Sequence, residues 1–98
     1  MWLYYGFVVD GSVVAEDVAQ VARREQKDRE RVRGFGRRVR ELREPRGWSQ
    51  ERLAQAADVH RAEIGFVERG EREVGIALAW RLADSLAVPL DELVLGLT

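Results

Sequence analysis

SQERLAQAADVHRAEIGFVERG, Ser49 to Gly70, is the stretch whose reading decides the fold. Leu53, Ala54 and Ala57, then Ile64 and Val67, recur at spacings of three and four, which predicts a helix from Gln50 to about Ala57 and another from Arg61 to Arg69. Ser49 is a good N-cap for the first, because its hydroxyl accepts from backbone N–H groups that have no partner within the helix; Arg52, not Glu, holds the capping-box position. Asp58 and Val59 supply a tight turn, and Gly70 a left-handed terminator for the second helix. Ala54 is small where the two helices must cross, and Val59 adds to the apolar contacts that fix their angle. The outward face of the second helix is left to Arg61, Ala62, Glu63, Gly65, Phe66 and Arg69.

Working outward, Phe35, Val39 and Leu42 predict a preceding helix that Pro45 and Gly47 stop. On the other side, Ile76 to Ala87 carries Leu78, Leu82 and Leu86 on one stripe, and Pro89 opens a short last helix, since proline is tolerated where the first N–H needs no partner. Residues 34–98 therefore read as an all-α domain of five helices. Residues 1–33 read as an extension: a short strand at 2–9 (WLYYGFVV) before the turn signal Asp10-Gly11, then a helix at 15–32 with Val14, Val18, Val21 and Ala22 at helical spacing. Gly34 and Gly36 are expected to interrupt that helix. A lone strand must pair with Ser12–Ala15, with a second subunit, or with nothing if the segment is disordered; a translated leader without structural role is a further alternative. The charged run ARREQKDRERVR has mixed sign and reads as a solvated helix face or linker in preference to a basic DNA arm.

Two short helices joined by a turn of about four residues form the geometry that projects a second helix into a DNA major groove. From about Phe35 to Leu95 the chain resembles the Cro and lambda-repressor-like, Xre-type helix-turn-helix family. The elements that carry the resemblance are LRE (Leu42–Glu44), GWSQ (Gly47–Gln50), Leu53-Ala54, IxxVERG (Ile64–Gly70) and LAxxLxVPLDEL (Leu82–Leu93), in order and at the family's spacing. The resemblance implies that Gln50 hydrogen-bonds a phosphate, that Arg61 and Ala62 face base edges with Phe66 one turn later, and that Arg43 and Glu68 form a partly buried salt bridge between the first and third helices. The chemistry is compatible: an arginine fork meets guanine O6 and N7, phenylalanine touches a thymine methyl, and Glu63 offers an acceptor to cytosine N4. Arg37, Arg38, Arg69 and Arg72 are further candidates for phosphate contact.

The chain departs from the family pattern at His60, which replaces the usual hydroxyl cap, at Asp58 in place of the turn glycine, and at Val74 where proline is common. Asp tolerates the left-handed conformation and His caps weakly, so none of these breaks the fold. Glu63, Glu71 and Glu73 put like charge near the phosphates, which opposes binding. Phe66 has a second reading as a protein-interface aromatic. Trp48 is read as a cover over the core; Trp80, with Leu95 and Leu97, is either a dimer contact or core filling.

The bulk numbers fit one small domain. In 98 residues there are 16 Lys and Arg against 17 Asp and Glu, a formal net charge of −1, so charge placement matters more than its total. A core this small is marginal, and self-association is a common remedy. With no cysteine there is no disulfide framework or thiolate metal site, and His60 is the only histidine. No phosphate-binding glycine loop and no presumptive triad is visible, so the expectation is no enzyme, no metal and no cofactor. The apolar start lacks a basic n-region and is shorter than a membrane span of about 20 residues, which suggests no membrane partner and a cytoplasmic location. The expected function is a sequence-specific transcriptional regulator that binds double-stranded DNA as a homodimer on an inverted-repeat operator, with the 61–69 helix in the major groove. The alternative is a protein-interaction module, antitoxin-like or adaptor-like, that meets a protein partner through residues 1–33.

Overall fold

The computed structural model describes residues 11–97. Five α-helices follow one another: α1 (Gly11–Arg43), α2 (Gln50–Ala57), α3 (Arg61–Arg69), α4 (Ile76–Leu86) and α5 (Asp91–Val94), with a single 3-10 turn (Glu44–Arg46) after α1. The expected strand at 2–9 lies outside the described residues.

Gly34 and Gly36 do not interrupt anything: the two helices predicted at 15–32 and from Phe35 onward are one helix of 33 residues, about 50 Å long at 1.5 Å per residue. Its length accounts for most of the molecule's 56 Å longest extent. A glycine costs a helix only about 1 kcal/mol relative to alanine, and here packing outweighs that cost. A Cβ on Gly36 would stand 2.0 Å from the carbonyl oxygen of Val67, so the bare Cα is what lets α1 cross α3 in close contact. Gly36 is thus a packing residue rather than a helix breaker.

The core forms where the C-terminal third of α1 meets α2 to α5. Val39, Leu53, Ile64, Leu82, Leu86 and Leu93 are fully enclosed, and Phe35, Val67 and the small Ala54, Ala57, Ala79 and Ala83 complete the cluster. Each large apolar side chain removed from water contributes roughly 1.5–3 kcal/mol. Trp48 covers this cluster from outside, as its sequence position suggested, with the Arg52 guanidinium 5.0 Å from its ring centre. Trp80 does not fill the core: it is 56% exposed, off the Leu78 and Leu82 stripe of α4. Residues 17–31 of α1 lie beyond the packed body and are almost all exposed.

Helix ends follow the side chains available. The Ser49 hydroxyl accepts from Arg52 N (3.0 Å), and His60 Nδ1 accepts from Ala62 N (3.1 Å). Asp58 and Gly70 take left-handed conformations that close α2 and α3. Ala87 does the same for α4 with φ 58°, although its Cβ disfavours that region. The last helix begins at Asp91, two residues beyond Pro89, whose carbonyl accepts from Glu92 N. Among the described residues no helix is long and apolar enough to cross a membrane.

Candidate nucleic-acid interface

Arg61 and Ala62 open α3 on its solvent side, both exposed, while Ile64 and Val67 from the same helix are buried. With nine residues in α3, the 100° turn per residue leaves one face for the core and one for a ligand. Gly65 is buried at the crossover, and the Arg69 guanidinium lies over its bare Cα.

One ion pair sets the position of that helix. Arg43 Nε and Nη2 donate to the two carboxylate oxygens of Glu68 at 2.6 and 2.9 Å, and Arg43 Nη1 donates to the Trp48 carbonyl at 2.7 Å. Gln50 Nε2 donates to Glu68 Oε1 at 3.0 Å. The end of α1, the start of α2 and the end of α3 are therefore tied at one buried carboxylate, whose side chain is only 3% exposed. Hydrogen bonding to Glu68 holds the Arg43 guanidinium above its ordinary pKa, against the opposing effect of burial. The pair expected between Arg43 and Glu68 is present. Gln50 is not a free side chain at the helix start; it is held by Glu68 of α3 and keeps one amide N–H for a further acceptor.

A second cluster surrounds Phe66. The guanidinium of Arg72 lies 4.0 Å and that of Arg69 5.4 Å from its ring centre. Arg72 also pairs with Glu63 at 3.2 Å, and Arg69 with Glu71 at 3.1 Å. Two of the three acidic residues that would oppose phosphates are thus neutralised by neighbouring arginines, and Glu73 is exposed. Cation–π contact of this kind keeps two flexible arginines at the rim of α3. The signal in the sequence was the spacing of Phe66, Arg69 and Arg72 by three; the folding of the loop back onto α3 was not legible.

Of the remaining candidates, Arg37 is exposed, whereas Arg38 donates to the Leu95 carbonyl (3.0 Å) and so ties down the C-terminal segment. Sequence reasoning missed two structural arginines. Arg46 donates to the carbonyls of Leu42 and Leu86, and Arg81 to that of Ala57 (2.9 Å), satisfying acceptors at the ends of α1, α4 and α2. They look like ordinary surface arginines in sequence because their acceptors are backbone atoms far along the chain.

Comparison with known proteins matches residues 39–93 to the family described as Helix-turn-helix (HTH_3). Among curated relatives, the HTH-type transcriptional regulator SutR of Escherichia coli K12 is 43% identical over 51 residues, which is 52% of this chain but 29% of SutR. The chain thus spans less than a third of that relative. YazB of Bacillus subtilis, an uncharacterized HTH-type transcriptional regulator, is 37% identical over 59 residues, 60% of this chain and 86% of YazB. The crystal structure of the restriction-modification controller protein C.AhdI from Aeromonas hydrophila superposes with a TM-score of 0.62 at 42% identity, covering 63% of this chain and 94% of that one.

Proposed function

The chain belongs to the HTH_3 family of helix-turn-helix transcriptional regulators, which are not enzymes, and from that premise we propose that it binds a specific DNA sequence by inserting α3 into the major groove. The observation that carries the reading is the pairing of an exposed Arg61 and Ala62 at the start of α3 with a buried Arg43–Glu68–Gln50 network that fixes where they point. Direct base readout needs side chains held within a fraction of an ångström, and a rigid helix supplies that better than a loop.

In this reading Arg61 and Ala62 face base edges with Glu63 beside them, Phe66 follows one turn later, and Gln50 and Arg37 meet phosphates. Arg69 and Arg72 stand at the rim, where each exchanges a carboxylate for a phosphate oxygen on binding. Two copies on an inverted repeat place two such helices about one DNA turn apart. The 34–98 domain carries this activity and residues 1–33 are an extension to it.

Random-site selection with the purified full chain, then titration of the best site at two salt concentrations, tests the proposal. An enriched inverted repeat with affinity that falls steeply with salt is expected, since each neutralised phosphate releases counterion. Binding with no enriched sequence and no salt dependence would refute it.

A further inference from the structure

Ala62, Glu63 and Phe66 stand together on the outward side of α3, with Ile64 and Val67 turned to the core. Phe66 follows Glu63 by three positions and Ala62 by four, the spacings at which side chains on a helix meet. One guanidinium touches both larger groups: Arg72 Nη1 donates to Glu63 Oε1 at 3.2 Å, and the same guanidinium lies 4.0 Å from the centre of the Phe66 ring. The carboxylate and the ring are therefore neighbours on either side of a single planar group. Glu63 is the better enclosed partner, its side chain 29% exposed against 54% for Arg72. Its second oxygen, Oε2, accepts no hydrogen bond among the described residues. Ala62 is small and exposed, so the surface beside the half-buried ring is uncrowded.

A hydrogen-bond acceptor next to an apolar ring suits neither natural pyrimidine fully. In the major groove cytosine offers the N4 amino donor but no methyl, whereas thymine offers the C5 methyl and sets its O4 acceptor against the carboxylate. Adenine offers an N6 donor, but the group next to it is the O4 of its paired thymine, with the methyl beyond. 5-Methylcytosine carries the donor and the methyl on adjacent ring atoms. We propose, on the DNA-binding reading above, that Glu63 and Phe66 together read 5-methylcytosine, so that methylation of one cytosine in each half-site strengthens binding. Glu63 accepts from N4, and Phe66 packs on the methyl.

Arg72 sharpens this choice. In the free protein it supplies the donor that Glu63 needs and covers the ring. When it turns to a phosphate on binding, the carboxylate requires another donor and the ring another cover. 5-Methylcytosine supplies both, whereas thymine leaves the carboxylate facing an acceptor in a site that excludes water. Burying one methyl against the ring corresponds to about fourfold in affinity per half-site, or about fifteenfold over an inverted repeat.

Random-site selection with the full chain, run in parallel on a library made with cytosine and one made with 5-methylcytosine, tests the proposal. The methylated library is expected to enrich an inverted repeat with 5-methylcytosine at one fixed position of each half-site. Titration should then show about fifteenfold weaker binding when cytosine replaces that base, and at least about tenfold weaker when thymine does. Glu63→Gln, whose amide both accepts from N4 and donates to O4, should bind the thymine and 5-methylcytosine sites within about threefold of each other. Phe66→Ala, with unchanged helicity, should bind methylated and unmethylated sites alike. Equal affinity of the wild-type protein for cytosine and 5-methylcytosine sites overturns the proposal. Wild-type binding to thymine as tight as to 5-methylcytosine, or a Glu63→Gln protein that still rejects thymine, overturns it as well. A repeat enriched from both libraries and indifferent to the methyl removes this proposal and leaves the DNA-binding reading standing; no enriched sequence in either library removes both.

Discussion

Arg43→Ala should be among the most damaging substitutions in the chain, and its cost can be argued from the network it leaves behind. The mutation removes two hydrogen bonds to Glu68 and one to the Trp48 carbonyl. It leaves a carboxylate 3% exposed with only the Gln50 amide as a remaining partner. Breaking one side of a buried ion pair costs about 3–5 kcal/mol, and the space vacated by the arginine admits some water, which points to the lower end, about 3 kcal/mol. That is a large share of the roughly 5–15 kcal/mol that holds a small domain folded. With a urea slope of about 1.5 kcal/mol/M the unfolding midpoint, followed by tryptophan fluorescence, should fall by about 2 M. The loss should be nearly constant between about pH 6 and pH 9. A raised arginine pKa contributes stability that is fully present below its unfolded value and disappears only at strongly alkaline pH. The sign of the double mutant separates this account from simple loss of contacts. Arg43→Met with Glu68→Leu removes both charges and should be more stable than Arg43→Ala alone. A single-mutant loss below about 1 kcal/mol, or a double mutant no better than the single, would refute the reasoning.

Gly36→Ala should destabilise by about 1–3 kcal/mol even though alanine is the better helix former, because the new methyl meets the Val67 backbone oxygen; Gly34→Ala, whose methyl meets only the movable end of Leu97, should be close to neutral, and equal urea midpoints for the two would contradict this. Ala87→Gly should raise stability by up to about 1 kcal/mol by relieving the left-handed cap of α4, provided the same urea slope is observed; a loss would show that the cap is unstrained. Arg61→Ala should cost about 1–3 kcal/mol in binding and relax base preference at one operator position, whereas Gln50→Ala should weaken all sequences alike. A competition assay across single-base operator variants distinguishes them, and a uniform loss for Arg61→Ala would remove it from the readers.

Which parts of the fold were legible depended on how local their causes are. Ser49, Asp58, His60 and Gly70 mark helix ends through bonds to atoms within a few residues, and the structure uses each of them in that way. Ile64 and Val67 announce their buried face by spacing alone. Gly36 was misread because a glycine that ends a helix and one that lets another backbone approach are identical in one dimension; only the presence of Val67 overhead separates them. Arg38, Arg46 and Arg81 were unreadable for a related reason, since their acceptors are main-chain oxygens that any residue supplies. The Arg43–Glu68 pair, 25 positions apart, became visible only through the family resemblance.

The near-zero net charge takes on meaning once the pairs are placed. Glu63 and Glu71 are not free anions beside a binding face; each holds an arginine against Phe66 or beside it. Exposed pairs of this kind contribute little to folding, typically well under 1 kcal/mol, so they yield readily to a competing phosphate. Their effect is positional: Arg69 and Arg72 are confined to the rim of α3 before any ligand arrives, which lowers the side-chain entropy lost when they bind. The cost is that each must give up a carboxylate first. On the proposed DNA-binding reading, electrostatic attraction at long range is therefore weak, and the discrimination of one sequence from another would fall chiefly on the unencumbered end of the helix, where Arg61 and Ala62 stand exposed.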